Sequence, residues 1–447
     1  MKILSHYLVQ SEPFFDQVAG YHKTVLLSTR TTKLVAIPTL SLEHIKNAEW
    51  EKVNPEILRI FEESEIIVDS EENELATMLG RANAKIESNQ ALNYTIQPSA
   101  NCQLGCDYCG QVHEKKVLPK PYLERIVNRI KEKLQAKRYK HLQVGWFGGE
   151  PLTGMASIRS LSKEIIQYTE AYGCTYNAEV VTNGVGLTRL RFWELVNDFK
   201  VNSIEVTLDG TAEYHDQRRH TKDGSPTFDK IFQNLVAITS DEAYDALDWQ
   251  ISVRCNVDQR NDEGVSKLIK LMASHGMQKK VSFYLAPIHS WGNEAHLLSH
   301  EKAVFAAKEI DWMIELYQYG FPISLVPPLK PIVCMSVTED SELVDTYGRV
   351  YNCTEVSQVP GLEKEYMLGR VGQKAPYGDR FFMDFNQHVL EGQFPCSTCE
   401  MLPVCGGACP KSWYEGIAAC PSNKFNIKEK ILMAYAISQS DRPKEIV

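Results

Sequence analysis

Cys102-Gln103-Leu104-Gly105-Cys106-Asp107-Tyr108-Cys109 is the stretch on which the reading of this chain turns. Its three cysteines stand at C-x3-C-x2-C spacing, tight enough to hold three irons of a 4Fe-4S cluster and leave the fourth iron without a protein ligand. A cluster that only carries electrons is normally closed by four thiolates, so an open corner points to a site where something else binds the metal. Zinc sites and redox loops also give short cysteine spacings. The rest of the chain has to decide.

A chain of 447 residues implies two or three domains with enough apolar content to bury them. No run of about eighteen apolar residues occurs, so no membrane span is expected. The start, Met1-Lys2-Ile3-Leu4-Ser5-His6-Tyr7, lacks the apolar stretch and small-residue site of a secretory signal, which predicts a cytoplasmic protein. A net charge of -9 argues against nucleic acid as the main partner, and Lys115, Lys116 and Lys120 read as a solvated loop. Twelve cysteines in a reducing compartment read as metal ligands. Ten fall into spaced groups; Cys174 and Cys255 are left as ordinary buried thiols.

Residues 1–92 predict a small α+β module. Apolar runs at 24–28 and 34–37 flank a turn at Thr31-Thr32 and read as a hairpin. A Ser41 cap opens a helix through Leu42 and Ile45, Asn54-Pro55 starts another with Ile57, Leu58 and Phe61, and a linking helix runs from Glu71-Glu72 to Ala84. From 93 to 325, apolar runs at 94–96, 142–147, 178–181, 203–208, 250–257 and 281–285 alternate with helical patterns at 122–134, 189–199 and 265–273. Such alternation predicts a parallel sheet, and six units fit a partial (β/α)6 TIM-like barrel. Cys102, Gly148-Gly149-Glu150-Pro151, Thr182-Asn183-Gly184 and Asp209-Gly210 each follow a predicted strand. They therefore share the rim where parallel barrels build their chemistry.

The three-cysteine loop, with Tyr108 at the aromatic position, resembles the C-x3-C-x-aromatic-C signature of the radical S-adenosylmethionine (SAM) enzymes. The resemblance implies that SAM chelates the open iron and is split reductively to a 5'-deoxyadenosyl radical that abstracts a hydrogen atom. It implies that Gly148, Gly149, Glu150 and Pro151 receive the methionine ammonium, although a Gly-Gly-Glu segment alone could be a tight turn. Thr182 and Thr207 are hydroxyls for the ribose or carboxylate, or else threonines satisfying their own backbone. Thr207-Leu208-Asp209-Gly210 with His215-Asp216-Gln217-Arg218-Arg219 is similar to the family pattern S-x-D-G with H-D-x-x-R. Arg219 then faces the SAM carboxylate, with Arg218 the neighbour it could be confused with, and Asp209 orients the loop or touches SAM.

Beyond Val326-Pro327-Pro328-Leu329-Lys330-Pro331, Cys334 and Cys353 are followed by Cys396-x2-Cys399-x5-Cys405-x3-Cys409 and Cys420. This pattern, with Cys405-Gly406-Gly407-Ala408-Cys409 at its centre, resembles the SPASM domain, which holds two auxiliary Fe-S clusters. The resemblance assigns Cys396, Cys399, Cys405 and Cys420 to the outer cluster and Cys334, Cys353 and Cys409 to the inner one. Asp340 stands where some relatives carry another cysteine, so the inner cluster takes an oxygen ligand or keeps an open iron. A pair of zinc knuckles is the alternative. The expected divisions are 1–92, 93–325, 326–425 for the cysteine-rich Fe-S domain, and 426–447 for a closing helix and tail.

These resemblances imply a radical SAM/SPASM enzyme that modifies a ribosomally made precursor peptide by cross-link, thioether or epimerisation. Three 4Fe-4S clusters, SAM, a leader captured by residues 1–92, and a flavodoxin or ferredoxin as electron donor would serve it. No residue is assigned as general base; Asp209 and Asp258 are acidic rim residues left without that role. Rival readings are a formylglycine-forming sulfatase maturase and a zinc-binding scaffold.

Overall fold

The protein is described here by a computed structural model covering residues 1–373 and 378–440; the predicted tail at 441–447 lies outside the described residues. At the amino terminus, β1 (Lys2–Leu4) pairs antiparallel with β6 (Ile67–Asp69). β2 (Leu8–Gln10), β3 (Phe14–Asp16), β4 (Tyr21–Ser28) and β5 (Leu34–Pro38) form an antiparallel sheet around β4. The expected hairpin is β4–β5, in register Leu27↔Leu34, and Thr32 turns it at φ 61°.

Asn54 caps helix Pro55–Glu63 by accepting from the Glu56 N–H at 2.8 Å. The preceding helix, Thr39–Lys46, starts after Pro38, so Ser41 lies inside it and is no cap. The linking helix is Glu74–Glu87; Asn73 takes the cap and leaves Glu71 and Glu72 outside. Glu72 turns instead to the buried Arg30, whose guanidinium also binds Glu65 and Glu74.

This unit packs against the carboxyl-terminal region. Val9, Val25 and Leu27 share a core with Met401, Val404, Ile427 and Ile431 of the carboxyl-terminal region, and Tyr7, Met78 and Leu79 share another with Val333, Phe385 and Leu402. Ile427 and Ile431 belong to the closing helix, Asn423–Ser440.

The barrel strands follow. In β7 (Ala91–Ile96), Leu92, Tyr94 and Ile96 are fully buried while Asn93 between them is exposed, the period of a strand with one packed face. β8 (His141–Trp146), β9 (Thr175–Thr182), β10 (Val201–Thr207), β11 (Ile251–Val257) and β12 (Val281–Pro287) then pair in sequence order, all parallel. Helices such as Lys120–Ala136, with Ile126, Val127, Ile130 and Leu134 buried, cover the outer face.

The sheet does not end at β7. β13 (Ser341–Val344), from the cysteine-rich region, pairs parallel to it from Ser341↔Asn93 to Val344↔Ile96, and β14 (Arg349–Tyr351) and β15 (Gly369–Arg370) continue antiparallel. The four-residue β13 is too short for its pattern to be read as a strand. Glu342 pins it to the covering helix: Arg129 donates to its two oxygens at 2.7 and 3.2 Å, and the Lys133 ammonium lies at 2.9 Å.

Burial pushes the Glu342 carboxyl up, but the Arg129 hydrogen bond and the charges of Lys133 and Arg129 outweigh it and hold the group below the ordinary carboxylate range. A depressed folded value contributes stability above the unfolded pKa that is lost as pH falls through the folded one. Glu342→Gln should therefore lower the denaturation midpoint near neutral pH and show a shallower loss of stability than the wild type on acidification below about 4.3, read by denaturant titrations across pH.

Candidate active site

The loop after β7 carries Cys102, Cys106 and Cys109 to the carboxyl-terminal rim. It is stitched to the segment after helix Ala212–Arg218: the Gly105 N–H donates to His220 O at 2.9 Å, Asp107 N–H to Arg218 O at 3.2 Å, and Lys222 N–H to Gln103 O at 3.0 Å. All three cysteines line one cavity of about 240 Å³ at the barrel mouth. Burial pushes the Cys102 thiol up to about 11 and Cys106 up to about 12, so both keep their protons at neutral pH until a metal displaces them.

Tyr108 is the hub of this rim. Its hydroxyl donates to Asp209 Oδ2 at 2.6 Å and accepts from Arg219 and, at 3.1 Å, from Asn256 Nδ2. Asp209 also accepts the Asn256 N–H at 2.8 Å and does not line the cavity; it orients the phenol and the end of β11. Arg219 does line it, with Nε buried and lacking a partner among the described residues. Arg218 turns away to Asp258 at 3.3 Å and to the Asn256 carbonyl, which separates the two neighbouring arginines. Asp258 is thereby taken up by Arg218 and Arg260.

Gly148 and Gly149 line the cavity at positive φ. A Cβ on Gly148 would stand 2.2 Å from Gln97 Nε2, and one on Gly149 2.9 Å from the Ser99 and Asn101 carbonyls, so only glycine lets the backbone run here. Glu150 lies beneath them, 1 % exposed. Its carboxylate accepts from Leu152 N–H at 3.0 Å, Thr182 Oγ1 at 2.7 Å and Asn183 N–H at 2.8 Å, tying the end of β8 to that of β9. The expected direct contact with an ammonium is thus not the geometry present: Glu150 and Pro151 are outside the cavity wall, and the Thr182 hydroxyl is taken up by Glu150 although the residue lines the cavity, as does Thr207.

Reading the sequence placed Asn183 at the rim but missed Gln111, Glu205, Arg254, Asn256, His289, Trp291 and Glu355, all in the cavity wall. Asn256 and His289 follow the rim rule, standing at or just past the ends of β11 and β12. Glu355 carries no signal, because it arrives from the cysteine-rich region.

A second cavity is lined by Cys396, Cys399, Cys405 and Cys420 together with Lys424, whose ammonium donates to Cys420 Sγ at 3.6 Å. Gly406 and Gly407 shape it: a Cβ would stand 2.7 Å from the Lys330 carbonyl or from the Phe385 ring. Cys334, Cys353 and Cys409 form the other group. Burial pushes Cys353 up to about 12, with Glu355, Cys334 and Cys409 close enough to add to the push. Asp340 does not belong to it; its carboxylate is held by Lys137 at 2.8 and 2.9 Å, by Tyr139 at 2.5 Å and by Asn89 at 2.9 Å. The oxygen-ligand option at Asp340 is therefore withdrawn.

Among the described residues no three His, Cys, Asp or Glu side chains close on one point as a lone ion requires. Cys102, Cys106 and Cys109 line one cavity, and Cys396, Cys399, Cys405 and Cys420 another. Nor is any helix among the described residues long and apolar enough to cross a membrane.

Residues 96–240 match the Radical SAM superfamily. A serine-type anaerobic sulfatase-maturating enzyme of Bacteroides thetaiotaomicron is 22% identical over 71% of this chain and 82% of its own length. The radical SAM cyclopropyl synthase TigE of Paramaledivibacter caminithermalis is 24% identical over 89% of this chain and 87% of its own. Native anSMEcpe with bound AdoMet and Cp18Cys peptide superimposes with a TM-score of 0.56 at 20% identity, covering 78% of this chain and 97% of that one. Residues 96–240 thus form a radical SAM domain, and the chain is similar to radical SAM enzymes of the SPASM type. SAM and a 4Fe-4S cluster are the cofactors of that family.

Glu150→Gln turns a pure acceptor into a group with two donors among three donor partners. We expect a stability loss of about 1–3 kcal/mol and weakened SAM binding, measured by thermal unfolding and by equilibrium dialysis of labelled SAM.

Proposed function

We propose that this chain modifies a ribosomally made precursor peptide by hydrogen-atom abstraction, forming a cross-link or thioether or inverting a stereocentre. When bound at the Cys102–Cys106–Cys109 loop, a cluster and SAM supply the 5'-deoxyadenosyl radical. The chain's own residues bind and orient: Gly148 and Gly149 open the backbone to the amino-acid end of SAM, and Arg219 offers its guanidinium to the carboxylate. Asp209 fixes Tyr108 beside the loop. Cys396, Cys399, Cys405 and Cys420 would hold an outer cluster and Cys334, Cys353 and Cys409 an inner one, three in all, fed by a flavodoxin or ferredoxin.

The observation that carries this reading is the composition of the cavity wall. It combines the three-cysteine loop, the barrel rim, and Glu355 and Val359 from the cysteine-rich region. A substrate in that space meets both halves of the enzyme, and 5'-carbon and target carbon are brought together by position. A peptide occupant is supported by the bound peptide in the anSMEcpe structure. Leader capture by residues 1–92 is supported by β5, whose one neighbour among the described residues is β4, leaving an edge for strand addition.

Sulfatase maturation is the second reading, favoured by the Bacteroides relative. Against it, the match to the cyclopropyl synthase reaches over 89% of this chain, whereas that relative reaches over 71%.

Anaerobic incubation with SAM, a reductant and the peptide encoded beside the gene decides, read by mass spectrometry. Loss of two hydrogens means oxidation or cross-linking; deuterium uptake without it means epimerisation. Conversion of a sulfatase Cys or Ser to formylglycine, with the peptide untouched, would establish the second reading. Cys106→Ala should abolish 5'-deoxyadenosine formation, and persistence of that product would remove the assigned role of the loop.

A further inference from the structure

Lys424 stands in the first turn of the closing helix, Asn423–Ser440, and its side chain reaches back to the cysteine just before that helix: the ammonium donates to Cys420 Sγ at 3.6 Å. The backbone fixes this approach. The Lys424 N–H donates to the Pro421 carbonyl at 3.1 Å and the Phe425 N–H to the Ser422 carbonyl at 2.8 Å, while Asn426 and Lys430 clamp the helix to Glu309 at 2.7 and 2.9 Å. Lys424 and Pro421 thus share one cavity wall with Cys396, Cys399, Cys405 and Cys420.

This placement runs against the local electrostatics of the chain. A helix begins at the positive end of its dipole, where acidic side chains are favoured and a lysine is not, yet the first turn holds Lys424 and no acid. No carboxylate compensates it. Glu309 is taken by Asn426 and Lys430, and the Cys420 sulfur is the one hydrogen-bond acceptor of the Lys424 ammonium among the described residues. Two positive features, the ammonium and the helix start, therefore lie at one wall of a cavity lined by four thiols. An anion in that cavity would offset both.

We propose that the Lys424 ammonium hydrogen-bonds the cluster-ligating sulfur of Cys420 and raises the reduction potential of the outer cluster. The inference rests on the reading that Cys396, Cys399, Cys405 and Cys420 hold a 4Fe-4S cluster. Hydrogen bonds to cluster sulfurs and the charge around them set reduction potential. A cluster closed by four thiolates is anionic, and the electron that reduces it adds one more negative charge. A positively charged donor therefore stabilises the reduced form more than the oxidised one.

The test uses the full chain with Cys102, Cys106 and Cys109 replaced by Ala, so that only the auxiliary clusters remain, and a Cys405→Ala control that identifies the outer signal. Lys424→Met keeps the bulk of the side chain without its charge or donors, and Lys424→Arg keeps both. Redox titration followed by electron paramagnetic resonance should find the outer cluster of the Met variant harder to reduce, roughly tenfold in the one-electron equilibrium or about 59 mV. The inner cluster should be unchanged and the Arg variant close to the parent. In the parent, an exchangeable proton should couple to the outer cluster in electron–nuclear double resonance and vanish in the Met variant. Equal potentials in parent and Met variant, or an Arg variant shifted as far as the Met one, would overturn the proposal. If the Met variant fails to load, absence of the proton coupling in the parent alone overturns it, and its presence there upholds it. Should Cys405→Ala leave iron content and spectra unaltered, the outer cluster itself is refuted, and the role of Lys424 falls with it.

Discussion

The parallel pairing of β13 with β7 is the constraint from which the site follows. The end of β7 feeds the three-cysteine loop, and its edge accepts the strand that leads from Cys334 towards Cys353. One strand therefore sets the register of both cysteine-bearing segments. Because a one-residue slip would reverse every side chain of β13, the buried Glu342 could meet Arg129 and Lys133 in this register alone. The cysteine-rich region is thus a continuation of the barrel sheet, which is how Glu355 and Val359 come to close the barrel's mouth.

At the rim, polar side chains largely bind one another across neighbouring strands. Glu150 joins β8 to β9, Asp209 joins the end of β10 to β11, and Tyr108 brings the cysteine loop onto that pair. The bonds of Glu150 and that of Asp209 to β11 are buried, where an unpaired partner is costly, and that of Tyr108 is part-buried. The residues that the chain does not satisfy internally are then informative. Arg219, in the cavity wall, keeps a buried Nε without a partner among the described residues.

Much of this was legible in the chain. The six barrel strands announce themselves because one face of each is packed, and the rim motifs fall after them because parallel units repeat. Asn54 and Pro55 gave a true helix start through a local mechanism. What failed was decided by tertiary contacts. Ser41 was displaced as a cap by Pro38, which fixes the chain three residues earlier; Asp340 resembled a ligand by alignment of spacing but is satisfied by Lys137 and Tyr139. Glu150 reads as a charge for a ligand, whereas its three donors all come from the protein. The strand β13 was invisible because four residues carry too little periodicity, and Glu355 because its place depends on that strand.

The position of the amino-terminal unit bears on how such an enzyme is organised. A module that merely held a leader could be joined by a linker and keep its own core closed. Here Val9, Val25 and Leu27 of its sheet are completed by Met401, Val404, Ile427 and Ile431, and Lys23 and Asp16 meet Tyr435 of the closing helix. The apolar face of that sheet is therefore half of a shared core, and separating the two parts would expose both halves to water. β5 lies on the same sheet that buries this face, so a strand added at its edge would extend a layer already in contact with the carboxyl-terminal helix. Occupancy at the edge and packing around the outer cysteines then share one rigid element, because β4 lies between β5 and the strand that follows Tyr7.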